Sequence, residues 1–236
     1  MSEIYSNEHL KITKNVVTNI FRIELKKPNP VLLLSLTKFI KGSTCSDDYL
    51  LITFKAYDVQ MFTSYKENYK KNTEKPSICM VANMVATLGG QMSDMIGKFV
   101  TFTGVNTENI IVVNDHIFLC LDVELMREID EQNNVTIFTP FTSRDFFFSP
   151  EMKRATKLPF ILHYKTAYFS LGCLLLYVLL SYDDAFYQEY LLSDSENMEQ
   201  LFKKYLANHP IKDTKLYWLI KRCLVEEPEK RVILFV

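Results

Sequence analysis

Asn109 and Asp122 are a pair whose residue types could serve chemistry, although a lone Asn and Asp also suit any polar loop beside a strand. They are a carboxamide and a carboxylate separated by two apolar runs, Ile110 to Val113 and Ile117 to Leu121, with Asn114 and Asp115 between the runs. Apolar runs around such turn residues predict a β-hairpin that delivers both polar side chains to one end. Their oxygens suit a hard cation such as Mg²⁺. An ion that demands octahedral oxygen geometry is nevertheless poorly held by two protein ligands unless phosphates complete its shell. Just upstream, Phe102, Thr103 and Gly104 offer no carboxylate or imidazole to take a proton. The cysteines, at 45, 79, 120, 173 and 223, form no C-x-x-C, and His9, His116, His163 and His209 are scattered. Reduced core thiols are therefore expected rather than a zinc site or a Cys–His nucleophile.

Several elements are expected to hold these residues in place. Leu10, Val17, Ile20, Phe21 and Leu25 recur at spacings near 3 and 4, which predicts an amphipathic helix over 8–26. Strand-like runs follow at 31–40 and 49–54, separated by the turn-rich GSTCSDD. Helices are expected near 58–70, 77–98, 164–181, 197–207 and 213–225. Gly89 and Gly90 fall inside the second of these, where each costs about 1 kcal/mol against Ala, so close packing or a kink is expected there. The run from Ala167 to Tyr182 is apolar on all sides but shorter than the ~20 residues of a membrane span, which marks a buried helix. Between Glu124 and Ser149 the pattern fades and aromatics gather: Phe138, Phe141, Phe146, Phe147 and Phe148. Phe146 to Phe148 read as core anchors or, alternatively, as a patch for a partner.

Taken together, these segments resemble the protein-kinase family. Phe102, Thr103 and Gly104 stand at the H-R-D positions of the catalytic loop, Asn109 at its Asn, and Asp122, Val123 and Glu124 at D-F-G, with kinase-like spacing. Ser149, Pro150 and Glu151 resemble the A-P-E that ends the activation segment. Lys165 to Leu180 resembles the central helix of the large lobe, with Ala167 in place of its Asp. Cys223 to Arg231, CLVEEPEKR, resembles C-L-x-x-D-P-x-x-R, which implies an Arg231–Glu151 pair. Upstream, KPNPVLLL at Lys27 to Leu34 is similar to the junction of helix C and strand 4, and Tyr49 to Asp58 to strand 5 and the hinge. The likeness covers roughly residues 8 to 231.

The resemblance implies an α+β, mainly α fold: a kinase-like helical lobe over 58–236 and a truncated small lobe over 1–57, reduced to helix C and strands 4 and 5. It implies that strands 1 to 3, the glycine-rich loop and the strand 3 lysine are missing, and it places Thr18 at the helix C glutamate. Gly104 replaces the catalytic base, so Asn109 and Asp122 are expected to be vestigial, with no cofactor and no metal. Phosphoryl transfer depends on positioning and electrostatic stabilisation, and the groups that supply them are absent from the pattern. The expected protein is a pseudokinase that binds another protein, such as a catalytic kinase or a kinase-associated protein, through the small-lobe remnant. The alternative is a weak Mg/ATP sensor or atypical kinase.

Composition sets further bounds. The chain has 236 residues, 48% hydrophobic and 23% charged, with net charge −1. That balance provides no general drive toward nucleic acid or anionic membrane. Lys66 to Lys75 is lysine-rich but interrupted by Glu67 and Glu74, as on a solvated surface. The polar start, MSEIYSNEHL, lacks the apolar core of a secretory signal. The expected location is intracellular, cytoplasmic or nuclear.

Overall fold

In the computed structural model, residues 1–72, 78–141, 147–194, 197–207 and 209–233 are described. Strand periodicity, not helical periodicity, governs the N-terminal part. Leu10 and Ile12 in β2 (Leu10–Asn15) and Phe21, Ile23 and Leu25 in β3 (Ile20–Leu25) are buried, while Lys11, Arg22 and Glu24 face out. This period of two is that of a strand with one covered face. The helix expected over 8–26 is therefore corrected to a hairpin. Val17, which served as a helical core position, lies 92% exposed in its turn. There the Asn15 side chain accepts from the backbone N–H of Val17 and Thr18, and Asn19 has φ 52°. Thr18 is accordingly a turn residue, not a helix residue.

The strand expected over 31–40 is corrected in the opposite sense. It is helix α1 (Pro30–Phe39), with Pro30 in its first turn and Asn29 as cap, Oδ1 accepting from Leu32 N at 3.0 Å. KPNPVLLL thus opens a helix rather than closing one. With β1 (Ser2–Ser6), β4 (Thr44–Cys45) and β5 (Leu51–Lys55), the hairpin forms a five-stranded antiparallel sheet in the order β1-β2-β3-β5-β4. Residues 1–57 are therefore not stripped to one helix and two strands. The sheet's inner face, including Ile52 and Phe54, is buried, as are Leu32, Leu33 and Leu36 of α1, which packs against β4 and β5. The apolar inner face of the sheet is closed.

Beyond residue 57 the elements lie close to their expected places. β6 (Val59–Met61) leads into α2 (Phe62–Asn72). The long helix expected over 77–98 is α3 (Ile78–Met84) and α4 (Gly90–Ile96), joined by a π-turn over Val85–Gly89. A Cβ on Gly90 would stand 2.8 Å from the Phe39 ring of α1, so the glycine permits the two helices to close. β7 (Val100–Phe102), β8 (Ile110–Val113), β9 (Ile117–Cys120), β10 (Met126–Glu128) and β11 (Asn134–Ile137) follow. After α5 (Pro150–Arg154), β12 (Phe160–His163) pairs with β11. The sheets are small and antiparallel, and helix outweighs strand.

α6 (Thr166–Leu179) is buried along nearly its whole length. Gly172 brings it against α9 (Lys215–Cys223): a Cβ there would meet Cys223 Cβ at 2.8 Å. α7 (Asp184–Leu192) and α8 (Met198–Leu206) pack outside. Among the described residues, no helix is long and apolar enough to cross a membrane.

Candidate functional site

The β8–β9 hairpin brings Asn109 and Asp122 together. Ile110 pairs with Cys120 and Leu121 N donates to Asn109 O at 2.7 Å, so the two polar residues leave the same end of the ladder. Asn114 and Asp115, with φ 54° and 62°, make the turn at the far end, a backbone conformation that suits Asn and Asp. Asn109 Nδ2 donates to Asp122 Oδ2 at 2.7 Å, and Leu125 N to Oδ1 at 3.0 Å. Asp122 is 3% exposed. Burial pushes its carboxyl above the ordinary carboxylate range, and these two hydrogen bonds only partly oppose the rise.

The upstream segment is fixed by the backbone on the far side of Asp122. Phe102 is fully buried in β7, which pairs with β10, and Thr103 N and Oγ1 donate to Leu125 O at 2.7 and 3.1 Å. Gly104 follows, buried. The inner sheet face nearby carries Leu10, Ile12, Phe21, Ile23 and Leu25. Lys14, which follows Leu10 and Ile12 on the same side of β2, lays its Nζ 5.1 Å from the Phe21 ring centroid. Ser35 of α1 is buried and accepts from Gln91 Nε2 at 3.4 Å.

Two groups at this site escaped the sequence reading. The first is Gln91, fully buried, whose side chain mimics a strand: Nε2 donates to Cys120 O at 2.9 Å and Oε1 accepts from Cys120 N at 2.8 Å. Its signal was a polar residue directly after Gly89 and Gly90. The second is the β1–β2 turn, hidden by the helical misreading. Asn7 Oδ1 accepts from His9 N and Leu10 N, both at 2.8 Å, and Asn7 Nδ2 reaches Tyr5 Oη at 3.2 Å. Tyr5 Oη donates in turn to Asn109 Oδ1 at 3.4 Å. His9 Nε2 lies 3.0 Å from Glu124 Oε1 without the alignment of a hydrogen bond, and with Glu8 these three residues bring ligand atoms within 4.8 Å of one another.

A second polar centre joins Glu151, at the start of α5, to Arg231. The guanidinium is fully buried and bidentate, Nη1 to Oε1 at 2.6 Å and Nη2 to Oε2 at 2.7 Å. Nε also donates to Val225 O and Nη2 to Glu226 O, and the group lies 5.0 Å from the Phe169 ring centroid. Burial alone would raise the Glu151 carboxyl, but the hydrogen bond and charge of Arg231 hold it below its ordinary range.

Of the aromatic run, Phe147 is 1% exposed with its ring among Tyr177, Tyr187 and Tyr190, an anchor rather than a patch. Phe148 is half-buried against Phe141. Phe146 lies outside the described residues. Phe138 and Ile161, at the β11–β12 ribbon, are 71% and 68% exposed. All five cysteines are free thiols; burial pushes those of Cys120, Cys173 and Cys223 up, which makes them inert. No protein-family model matches the chain, and a search of curated proteins finds no match.

Proposed function

We propose that the chain is a catalytically inactive, kinase-like protein that works by binding another protein, regulating or imitating a catalytic kinase. The observation that carries this reading is the state of Asp122: buried, pushed toward the neutral form, and with both oxygens taken by Asn109 and Leu125. A carboxylate held in this way serves the fold before it serves a cation. Gly104 at the base position supports the same reading.

The kinase-like large lobe is part of this proposal. It is supported by the β8–β9 hairpin, by α6 as the buried central helix, and by the Glu151–Arg231 pair. The five-stranded sheet supports a fuller small lobe than the motifs imply. With the inner sheet face closed, the partner surface moves to exposed apolar groups such as Phe138 and Ile161.

The test is a thermal shift with ATP, with and without Mg²⁺. Any ligand that binds only the native state raises Tm by mass action. The expected result is no shift at millimolar nucleotide. A Mg-dependent rise that Asp122→Ala abolishes would replace the proposal with the nucleotide-sensor alternative.

A further inference from the structure

We infer that Glu8, His9 and Glu124 form a zinc site that clamps the turn between β1 and β2 to the chain just beyond Asp122. Neither Asn109 nor Asp122 supplies a ligand, so the inference stands apart from the kinase-like reading. Among the described residues this is the one place where three such ligand groups converge, with donor atoms all within 4.8 Å of one another. His9 Nε2 lies 3.0 Å from Glu124 Oε1 and 3.8 Å from Glu8 Oε1. Ligands bound at about 2.0–2.2 Å to a tetrahedral Zn²⁺ stand about 3.4 Å from each other, between those two separations.

The imidazole gives a second, independent observation. His9 Nε2 is a buried atom without a hydrogen-bond partner, although the Glu124 carboxylate stands beside it. A nitrogen so close to an oxygen yet not directed at it is placed as two ligands of one ion are, each pointing at a shared third atom. Without that atom it has given up its water with nothing in return. The backbones that present the ligands are pinned. Asn7 Oδ1 accepts from His9 N and Leu10 N, and Lys26 N donates to His9 O at 2.9 Å. Opposite, Asp122 Oδ1 accepts from Leu125 N, and Arg127 Nη1 donates to Glu124 O at 2.6 Å. The Glu8 and Glu124 side chains, 79% and 44% exposed, leave a path for the ion and can close upon it. Two carboxylates supply charge for a dication, and the imidazole favours Zn²⁺ over Mg²⁺ or Ca²⁺, which take oxygen ligands. A water completes the tetrahedron.

The experiment is a calorimetric titration of the full, reduced, EDTA-treated chain with Zn²⁺, repeated with Co²⁺ as a spectroscopic probe. One ion should bind per chain, at least about tenfold more weakly in each of His9→Ala, Glu124→Gln and Glu8→Gln. His116→Ala, at the far end of the β8–β9 hairpin, should bind as wild type does. Co²⁺ should give the visible bands of a tetrahedral site without the near-ultraviolet sulfur charge transfer that the exposed Cys79 thiol would add. Zn²⁺ should also slow deuterium uptake over residues 7–10 in wild type and not in His9→Ala, a response that a merely structural histidine would not produce. Absence of binding, wild-type affinity in any of the three ligand variants, an equal loss in His116→Ala or a thiolate absorption overturns the site.

Discussion

Two buried carboxylates in this chain are held in opposite electrostatic settings. Glu151 faces a fully buried guanidinium that grips both its oxygens, while Asp122 receives only a neutral carboxamide and a backbone N–H. Burial acts on both in the same direction. Only at Glu151 does a cation outweigh it, so Glu151 is pulled below its ordinary range and Asp122 is pushed above. A carboxylate with its own cation ties segments together. One given only neutral partners has its carboxylate form supported by hydrogen bonds alone, which do not outweigh its burial.

The largest way to break the comparison is Arg231→Ala. It strands Glu151 as an unpaired buried charge and frees the carbonyls of Val225 and Glu226, which should cost about 3–5 kcal/mol. At about 2–4 °C per kcal/mol for a chain of this size, Tm should fall by roughly 6–20 °C. Urea melts of the variant test this directly, and a midpoint near that of wild type would show that the pair is dispensable.

The next test sharpens the contrast through pH. Glu151 has a depressed folded pKa, so its contribution is present above the ordinary carboxylate range and is lost as pH falls through the folded value. Asp122 is the reverse: its contribution is full below the unfolded pKa and is lost as pH rises through the raised folded value. Glu151→Gln should therefore destabilise more at pH 7 than at pH 3. Asp122→Asn should compare better with wild type at pH 7 than at pH 4, because Asn109 can turn its amide to offer Oδ1 while Tyr5 accepts from Nδ2. The expected result is that the variant gains on wild type between pH 4 and pH 7. Tm profiles whose differences from wild type run parallel for the two variants would erase the distinction.

These two centres were unequally legible in the sequence. Both ends of the Glu151–Arg231 pair sit in strongly patterned segments, and α6, α8 and α9 announce themselves by helical periodicity and length, within about two residues of their observed bounds. The hairpin behind Asn109 and Asp122 was equally plain. The N-terminal sheet was not, because Leu10, Ile20, Phe21 and Leu25 satisfy a helical spacing by coincidence, whereas the buried strand positions are Leu10, Ile12, Phe21, Ile23 and Leu25. Apolar α1 reads as a strand until Pro30 and Asn29 are recognised as a helix start. The Tyr5–Asn109 contact was lost with the hairpin. No local pattern signals that Tyr5 will reach Asn109, since that contact exists only after the sheet has packed.

Packing around the second centre supplies the next test. Gly172→Ala adds a methyl group 2.8 Å from Cys223 Cβ and 3.1 Å from Leu224 Cδ2, on the helix that ends just before the loop holding Arg231. Overpacking of this kind costs about 1–3 kcal/mol. Because Cys223 is fixed on α9, the strain should loosen the Arg231 grip. Gly172→Ala and Arg231→Ala should then be non-additive by about 0.5 kcal/mol or more in a double-mutant cycle. An additive result would mean that α6–α9 packing and the ion pair are independent.

The smallest expected effect sets the scale for the others. Arg154 and Glu226 also form a close pair beside this centre, but their side chains are 49% and 52% exposed. Water screens the attraction and two long side chains must be ordered to make it, so Glu226→Gln should change stability by less than about 0.5 kcal/mol. The backbone carbonyl of Glu226, which accepts from Arg231, is untouched by the substitution. Burial and a bidentate grip thus separate two Arg–Glu pairs: the chemistry that holds the fold at Glu151 contributes almost nothing at Glu226. A loss approaching that of Arg231→Ala would instead make the two arginines a single network.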